Sequence, residues 1–376
     1  MGTMDELLDP TVVGRLRSSL RSVDPTLDLE ALRQARAGLD GLRLRERVDL
    51  IRDALLADLP AQFTASETIV HDVLVVPEFA GWMIWPTTEF VAARALEDGS
   101  PAAFDAAMML LSRLTVGLSS EFAIREMLIA RPERALEIAG TWTDHENEHV
   151  RRLASEGTRA FLPWAKRVPW LIRNPAATRG IVDALYRDDT EYVRRSVANH
   201  LNDLSRLDPD AVTRIARDWS NDPDAHTPWV LRHGLRTLIK KANRDALALV
   251  GYAGDHVRVD RPEISHTIVR LDEDALTFTA RVTNEDDVAA TVAIDYSIGF
   301  QRANGSISPK TFKLTSRKLA PGETVIVTKT HSFRRITTRS YYPGEHFVTV
   351  QANGERSPEA GFMVIDGNEG ALSDRS

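Results

Sequence analysis

Residues 193–210 read VRRSVANHLNDLSRLDPD, and their apolar side chains have the spacing of an amphipathic α-helix. The residues that share one helical face are Val193, Val197, Leu201 and Leu204. The residues at the margin of that face are Ser196, Asn199 and Asp203. The stretch therefore predicts a helix that packs against the protein core and carries an amide and a carboxylate at the edge of its buried face.

The start of this helix recurs on either side of it along the chain. Similar segments begin at Val150 (VRRL) and Val230 (VLRH), and all three follow an Asp-rich turn. The two spacings are 43 and 37 residues, the interval expected for two-helix HEAT-like units, which stack into a curved solenoid with a concave surface. The helical pattern runs from about residue 27 to 250, after a short or frayed helical lead in the first 25 residues.

Three arginines are equivalent in this register: Arg152, Arg195 and Arg232. Arginines at the starts of stacked helices would form a basic ladder suited to a phosphate backbone. The alternative is that each arginine pairs with a neighbouring acid such as Glu148 or Glu191.

The period of the pattern changes to two after Gly251. In LTFTARVTN (276–284), apolar and polar residues alternate, and TVAIDYSIGF, TVIVTK and HFVTVQ continue the pattern. The turn dipeptides between them are Asn304-Gly305, Pro321-Gly322, Pro343-Gly344 and Asn353-Gly354. About seven short strands in roughly 110 residues favour an immunoglobulin-like sandwich. Because the chain has no cysteine, it is not the disulfide-bearing antibody type.

The predicted fold is thus multidomain: an all-α HEAT-like repeat solenoid (an α-α superhelix) followed by an all-β immunoglobulin-like sandwich. We place the helical domain at 1–254, the sandwich at 255–366 and a flexible tail at 367–376. A chain of 376 residues is long for one compact core, which agrees with two domains.

The absence of cysteine also excludes thiolate chemistry and leaves only His and carboxylate ligands for zinc. The sequence shows no export signal and no apolar run of membrane-spanning length, so we expect a cytoplasmic protein.

The net charge of −7 does not exclude a polyanionic partner, because binding follows local fields. The segment from Gln301 to Ser340 contains nine Lys or Arg residues and one acid, Glu323. This excess of positive charge favours a surface that binds anions over a loop face that is merely solvated.

Residues 145–149 (HENEH) match the zinc-protease motif HExxH formally, but the context disfavours that interpretation. The motif falls at a helix start after the expected cap Asp144, where acids are favoured by the helix dipole. Glu148 adds a charge, and it lies four residues before Arg152, the spacing of a helical ion pair. We therefore predict no metal site and no cofactor.

Several long segments resemble the HEAT-like DNA alkylation repair glycosylases of the AlkC type, many of which carry a C-terminal immunoglobulin-like domain. The segments are GLSSEFAIREML (117–128), VRRLASEGTRAFLPWA (150–165), SVANHLNDLSRLDP (196–209) and VLRHGLRTLIKKANRDALALVGY (230–252). One departure is Ala160-Phe161, where the resemblance implies a proline and a basic residue.

The resemblance implies excision of alkylated bases, chiefly 3-methyladenine and also 3-methylcytosine and 1-methyladenine, without deep base flipping. The catalytic residues expected are Glu156 and Asp203, on the inner edge of successive repeats, with Glu121 added by the resemblance alone. Trp164 could stack on the cationic base, with core packing as the alternative. Trp82 and Trp85 are assigned to the core.

The expected partner is double-stranded DNA containing alkylated bases, bound by a monomer in the bacterial cytoplasm, associated with the nucleoid. His200 and His233 are expected near phosphate. The residues predicted to bind DNA are Arg152, Arg159, Arg195, Arg232, His233, Arg236, Lys240, Lys310, Lys313, Arg317 and Lys318. The alternative function is a non-catalytic HEAT-repeat scaffold that binds DNA or protein, since a solenoid fold does not fix function. Such a scaffold would need no inward-facing acids.

Overall fold

The computed structural model describes residues 4–252, 256–334 and 340–366, and in these residues sixteen α-helices precede ten β-strands. The predicted order, HEAT-like helices followed by an immunoglobulin-like sandwich, is confirmed. The tail at 367–376, the basic residues Arg335 and Arg339, and the predicted boundary at 254/255 lie outside the described residues.

The helices are α1 (Pro10–Val23), α2 (Glu30–Ala37), α3 (Leu44–Asp58), α4 (Phe63–Val73), α5 (Ile84–Asp98), α6 (Pro101–Leu114), α7 (Ile124–Ala130), α8 (Pro132–Thr141), α9 (Glu148–Glu156), α10 (Pro169–Arg173), α11 (Arg179–Leu185), α12 (Glu191–Leu204), α13 (Pro209–Asn221), α14 (Thr227–Gly234), α15 (Arg236–Lys240) and α16 (Arg244–Leu249). Short 3-10 helices cover Met4–Leu8, Gly81–Met83, Trp142–Asp144 and Pro175–Thr178.

The described residues divide into two compact units, one of 4–215 with 222–234 and one of 216–221 with 235–366. The change from helix to strand falls between the end of α16 and the first strand at Val257. The compact units, however, divide earlier in the chain, because the short helices α15 and α16 group with the strands.

In the helical unit, α12 packs against both α9 and α14, the three helices whose starts repeat in the sequence. The predicted core face of α12 is buried, with Val193, Val197 and Leu201 fully enclosed. Thr190 caps α12 through its side-chain oxygen, which accepts from the Val193 amide. This arrangement places the polar margin of α12 against the C-terminal half of α9.

The N-terminal lead is helical, as predicted, but it is not frayed. Residues Pro10–Val23 form a regular helix that buries Val13, Leu16 and Leu20, and the Asp9 side chain caps it. In RLRSSLRSV, Leu16 and Leu20 share the buried face with Ser19, and the exposed face carries Arg15, Ser18 and Arg21.

The strands are β1 (Val257–Val259), β2 (Glu263–Ile264), β3 (Ile268–Arg270), β4 (Ala275–Asn284), β5 (Ala290–Gln301), β6 (Ile307–Leu319), β7 (Thr324–Ser332), β8 (Gly344–Ala352), β9 (Glu355–Arg356) and β10 (Ala360–Ile365). One sheet has the order β1-β4-β2, with β7 also paired to β4; the other has the order β3-β10-β8-β5-β6, with β9 paired to β8. All the pairs are antiparallel except β3 with β10.

The alternation predicted for 276–284 is confirmed. Leu276, Phe278, Ala280 and Val282 are buried in the sandwich core. The other face of β4 is polar, and Thr277 and Thr279 form hydroxyl pairs with Thr330 and Thr328 on β7. Strand β6 lies at the edge of its sheet, a position that matters for its basic side chains.

Two helical glycines offer a test of the packing of α14 on α12. A Cβ at Gly234 would lie 2.8 Å from Leu201 Cδ2 and 3.3 Å from its Cβ, whereas a Cβ at Gly140 on α8 would meet nothing within 4 Å. We expect Gly234→Ala to lower the free energy of unfolding by about 1–3 kcal/mol through overpacking. Gly140→Ala should raise it by about 0.5–1 kcal/mol, since alanine favours the helix. Urea unfolding of both variants measures this; equal effects would contradict the close packing of α14 on α12.

Candidate active site

Five charged side chains of the helical unit form a continuous series of alternating sign, which we call the carboxylate–arginine chain. In order of contact they are Glu121, Arg152, Glu156, Arg159 and Asp203. Arg152 pairs with Glu121, and its Nη2 lies 3.6 Å from Glu156 Oε1. Arg159 donates to Glu156 Oε1 at 2.6 Å and to Asp203 Oδ2 at 2.9 Å. The structure therefore brings the three predicted carboxylates together, with an arginine between each pair.

Two neighbouring helices hold most of this chain. Arg152 and Glu156 are four residues apart on α9, so they share a face, and Arg159 follows just after the end of that helix. Asp203 comes from the last turn of α12. Ser196, which lies earlier on the same margin of α12, donates its hydroxyl to Glu156 Oε2 at 2.6 Å. Two residues of the polar margin predicted for α12, Ser196 and Asp203, thus contact Glu156 and Arg159, whereas the third, Asn199, lies against His233 of α14.

The centre of the chain is almost completely buried. Asp203, Glu156 and Arg159 are 2%, 6% and 7% exposed. Burial acts to lower the pKa of Arg159, but Glu156 and Asp203 outweigh it and hold that pKa above its ordinary value. A buried charge without a partner is strongly destabilising, so each of these groups depends on the others. The carboxylate at the edge of α12 is therefore the ion-pair partner of Arg159.

A pocket of about 340 Å³ opens at the other end of the chain, where it is lined by Glu121 and Glu156 but not by Asp203. Aromatic side chains form much of its wall: Trp82, Trp85, Phe122 and Trp164. Trp85 stacks on Phe122 with a centroid separation of 4.7 Å and an interplanar angle of 21°. The pocket therefore combines aromatic faces with two carboxylates, a combination suited to a flat cationic group.

Trp164 stands out from this wall because 92% of it is exposed. Its φ is +60°, in the left-handed region that a bulky side chain rarely adopts. Core packing, the alternative role for this residue, is excluded by the exposure. A large aromatic side chain held out in a strained conformation beside a pocket is typical of a ligand-binding residue.

The assignment of Trp82 and Trp85 to the core is wrong. Both are only half-buried, and both line the pocket. Trp85 also donates from Nε1 to Glu89 Oε1 at 3.2 Å. No periodic pattern marks their exposure, because Trp82 lies in a single 3-10 turn and Trp85 in the first turn of α5.

A buried arginine holds the segment that carries Arg159 and Trp164. The Arg125 side chain donates to the carbonyl oxygens of Gly157, Arg159 and Lys166 at 2.9, 2.7 and 3.0 Å. It is 1% exposed, and burial first, then the charges of Arg167 and Arg159, lowers its pKa to about 10. Arg125 therefore fixes both ends of the loop between α9 and α10, and sequence reasoning missed it.

Two family models match parts of this chain. The family described as "DNA alkylation repair enzyme" matches residues 115–238, and the family described as "Uncharacterised protein YhaZ, C-terminal Ig-like domain" matches residues 258–366. The uncharacterized protein YhaZ of Bacillus subtilis (strain 168) is 33% identical over 369 residues, covering 97% of this chain and 100% of that protein.

A solved structure resembles the whole chain. The Pseudomonas fluorescens alkylpurine DNA glycosylase AlkC, bound to DNA containing an abasic site analog, has a TM-score of 0.79 and 31% identity, covering 97% of this chain and 100% of that one. The chain belongs to the AlkC-type family of DNA alkylation repair proteins. The resemblance stated from the sequence is confirmed, including the C-terminal immunoglobulin-like domain.

In this AlkC-type chain, the three arginines of the predicted ladder have different surroundings. Arg152 is turned into the carboxylate–arginine chain and stacks on Tyr192 at 5.3 Å. Arg195 is exposed and pairs with Glu191, which is the alternative stated for that residue. Arg232 is exposed, one helical position later in α14 than the other two in their helices. They are thus not a repeated set, and their binding to DNA remains a prediction.

The two histidines expected near phosphate differ from one another. His233 stacks on Trp229 with a centroid separation of 5.3 Å and lies 3.1 Å from Asn199 Oδ1. His200 is fully buried, with its Nε2 3.0 Å from Thr178 Oγ1. The expectation for His200 is therefore wrong, because the face of α12 that carries it packs inside the helical unit.

The prediction that Arg159 binds DNA is wrong, because its side chain is buried between Glu156 and Asp203. The other predicted DNA-binding residues lie in the other compact unit. Arg236 and Lys240 are on α15, and Lys240 is exposed. The four basic residues of β6, namely Lys310, Lys313, Arg317 and Lys318, are all exposed. They do not share one face of the strand, because Arg317 and Lys318 are adjacent and a bulge interrupts the pairing with β5 near Ile294.

The HENEH stretch is not a helical metal motif. Helix α9 begins at Glu148, and the cap is Asn147, whose side chain accepts from the His149 amide at 2.9 Å. The predicted cap Asp144 is wrong, although the expected helix start is present. Arg152 pairs with Glu121 and Glu156 rather than with Glu148. In the described part of the chain, no group of three or more His, Cys, Asp or Glu residues could hold a metal ion.

The burial of His200 predicts a pH dependence of stability. Desolvation lowers its pKa from 6.5 to about 3, so the unfolded chain takes up a proton before the folded chain does. Acid should therefore favour unfolding as the pH falls from about 6.5 towards 3, by about 1.4 kcal/mol per pH unit for this group. The measurement is the free energy of unfolding in urea between pH 7.5 and 5.

The variant His200→Gln should show a shallower loss of stability with acid. The matched control is His71→Gln, which changes an exposed histidine on α4 and should follow the wild type. Parallel curves for His200→Gln and the wild type would show that His200 does not titrate in this way.

Proposed function

We propose that this AlkC-type protein is a monofunctional DNA glycosylase that hydrolyses the N-glycosidic bond of cationic alkylated bases. The observation that carries the proposal is the carboxylate–arginine chain, which ends at an aromatic-lined pocket. The likeness to AlkC, whose structure contains DNA with an abasic site analog, supports it. The substrates proposed are 3-methyladenine, 3-methylcytosine and 1-methyladenine in duplex DNA, without deep base flipping.

The chemistry requires fixed negative charge more than it requires a nucleophile. A base alkylated at these ring nitrogens is positively charged while still joined to the sugar, so the glycosidic bond is already weakened. Breaking that bond places positive charge on the deoxyribose, and preorganised carboxylates stabilise such an oxocarbenium-like state. Water then attacks the sugar carbon and leaves an abasic site.

Glu156 is the carboxylate best placed for this role. It lines the pocket, and two hydrogen bonds fix its oxygens, from Arg159 to Oε1 and from Ser196 to Oε2. Arg152 adds an ion pair to Oε1 at 3.6 Å. Glu121 lines the same pocket, where Ser119 donates to its Oε2 at 2.9 Å. Asp203 reaches the site through Arg159. In the proposal, Glu156 and Glu121 face the sugar and position water, and Asp203 holds Arg159 and adds to the negative charge.

The five groups of the chain carry one more negative than positive charge, because three carboxylates share two arginines. Trp164 is proposed to stack on the lesion or its sugar, since its exposed ring stands beside the same pocket. A cation near an aromatic face gains roughly 0.5–2 kcal/mol, depending on how far water is excluded.

The scaffold alternative explains less of the site. A phosphate-binding surface gains nothing from acids under an aromatic pocket, because negative charge repels the backbone of DNA. In this protein, two carboxylates of the pocket are buried or half-buried and are held by dedicated donors. An enzyme that stabilises a cation accounts for that arrangement.

We propose that residues 1–254 form the glycosylase domain, that residues 255–366 form the sandwich and that residues 367–376 form a tail. We propose that the sandwich binds DNA through its basic side chains on β6. A competing role for those charges exists, because exposed lysines on an edge strand also prevent pairing with other chains. Salt dependence separates the two roles, since only phosphate binding releases counterions.

The test of the catalytic proposal measures released base and abasic sites from methylated duplex DNA in the presence of EDTA. The wild type should release base and leave an abasic strand that breaks only after added alkali. Glu156→Ala and Asp203→Ala should each lose at least about 100-fold in excision rate, the scale of losing a key electrostatic group, with a much smaller change in DNA binding.

The matched control is Glu146→Ala, an exposed acid within the HENEH stretch, which should excise at the wild-type rate. Unfolding curves of the Asp203 and Glu156 variants check that they are folded. Wild-type excision by both variants would contradict the site assignment, and loss of wild-type activity in EDTA would contradict metal-free catalysis. Binding without any base release would favour the scaffold.

The proposed role of β6 predicts a change in salt dependence. Neutralising Lys310, Lys313, Arg317 and Lys318 together to glutamine should weaken DNA binding and flatten the slope of log binding constant against log salt, by about 0.9 for each phosphate that the variant no longer binds. Arg281→Gln, an exposed change on β4 of the other sheet, is the control and should leave the slope unchanged. If the fourfold variant keeps the wild-type salt slope, these charges do not bind phosphate. Their role would then be to prevent β6 from pairing with strands of other chains.

A further inference from the structure

A second polar feature lies beside the candidate active site. The ring of Phe161 is contacted by two arginines: the guanidinium carbon of Arg167 lies 5.0 Å from its centroid, and that of Arg206 lies 5.5 Å away. Phe161 is half-buried, whereas both arginines are exposed. One aromatic ring thus holds two cations that come from different parts of the helical unit.

The hydrogen-bonding groups of these two arginines are free to bind a ligand. In the parts of the chain that the structure describes, neither guanidinium forms an ion pair or a side-chain hydrogen bond, unlike Arg159 and Arg152 nearby. Stacking on a ring uses the flat face of a guanidinium and leaves its five N–H donors available at the edge. These donors match the oxygens of a phosphate in a bidentate geometry.

The surroundings of the pair add positive charge. Arg125, which lies under the same loop, is buried, and its side chain donates to three backbone carbonyls rather than to a carboxylate. The positive charge of Arg167 also acts on Arg125. It is the second cause of the lowered pKa of Arg125, and burial is the first. Two like charges on one ring repel each other, and an anion between them relieves that repulsion.

The position of the pair relates it to the active site. Phe161 lies in the loop fixed by Arg125, two residues after Arg159 and three before Trp164. The Arg206 amide donates to the carbonyl oxygen of Asp203 at 3.2 Å, so the turn that carries Arg206 is continuous with the end of α12. The same two segments therefore place the carboxylate–arginine chain and the arginine pair.

We propose that Arg167 and Arg206, held on the ring of Phe161, form a binding site for backbone phosphates of the damaged DNA. The site rests on the proposed function, which supplies DNA as the partner. The two guanidinium carbons lie at most about 10.5 Å apart, from their two distances to the ring. Each strand of duplex DNA carries a phosphate every 3.4 Å or so along the helix axis, so two guanidinium groups within this limit can bind one phosphate or neighbouring phosphates of one strand.

This site has a positioning role. Backbone contacts set the register of a protein on the duplex and carry no sequence information. By holding the strand at a fixed point beside Trp164, the pair would place the sugar of the lesion against Glu156 and Glu121. The aromatic ring supplies the organisation, because it restricts two long, flexible side chains before DNA arrives.

The experiment measures the binding of methylated and unmethylated duplex DNA by the full-length protein across a salt series. The double variant Arg167→Gln with Arg206→Gln should bind more weakly, and its salt slope should fall by up to about 1.8, which is about 0.9 for each of two phosphates. The control Arg15→Gln with Arg21→Gln removes two exposed arginines of α1 and should keep the wild-type slope.

Variants of Phe161 test the ring without changing the charge. Phe161→Leu should weaken binding at least severalfold, whereas Phe161→Tyr, which keeps an aromatic face, should bind like the wild type. If the double variant keeps the wild-type slope, or if Phe161→Leu binds as tightly as Phe161→Tyr, the phosphate site is refuted.

The experiments distinguish a failure of the phosphate site from a failure of the proposed glycosylase function. Wild-type protein that binds DNA with a salt slope but releases no base would overturn the glycosylase proposal and leave the phosphate site supported by the double variant. Wild-type excision together with an unchanged slope in the double variant would overturn the phosphate site alone.

Discussion

The ion pairs of Arg159 with Glu156 and Asp203 are the interaction on which the candidate site depends. Two carboxylates from neighbouring helices converge in a nearly dry part of the protein, and a guanidinium between them makes their proximity possible. Removing one member of such a buried set leaves an uncompensated charge, which costs on the order of 3–5 kcal/mol. The fit of α9 against α12 and the fixed negative charge beside the pocket therefore have the same physical origin.

The loop between α9 and α10 connects this buried centre to the surface. Arg125 binds three of its carbonyl groups, so the loop can carry Arg159 inward and Trp164 outward without regular secondary structure. The same loop lacks the basic residue that the family resemblance implies at position 161. Phe161 occupies that position, and Arg167 and Arg206 contact its ring. These two arginines therefore supply the positive charge.

The packing of the β-strands follows from the alternation of their side chains. Alternating residues on β4 and β5 fill one core, and the polar face of β4 is covered by threonine pairs with β7. Its positive charges collect on β6 because an edge strand has room for exposed side chains on both faces. The fold alone explains why those residues are charged, and DNA binding is the additional role proposed for them.

From local spacing, the sequence predicted the two periodicities, the helices around residues 150, 193 and 230, and the strands with their buried and exposed faces. The three helices begin slightly earlier, at Glu148, Glu191 and Thr227. The sequence also identified Asp203 and Glu156 as unusual acids at a helix margin. The partners of those acids, in contrast, depend on how distant segments pack together. Arg159 meets Asp203 across 44 positions of the chain, Arg125 reaches a loop more than 30 residues away, and Trp82 and Trp85 meet Trp164 at one pocket. No periodic pattern encodes such long-range contacts, since they arise when packed helices bring distant segments together.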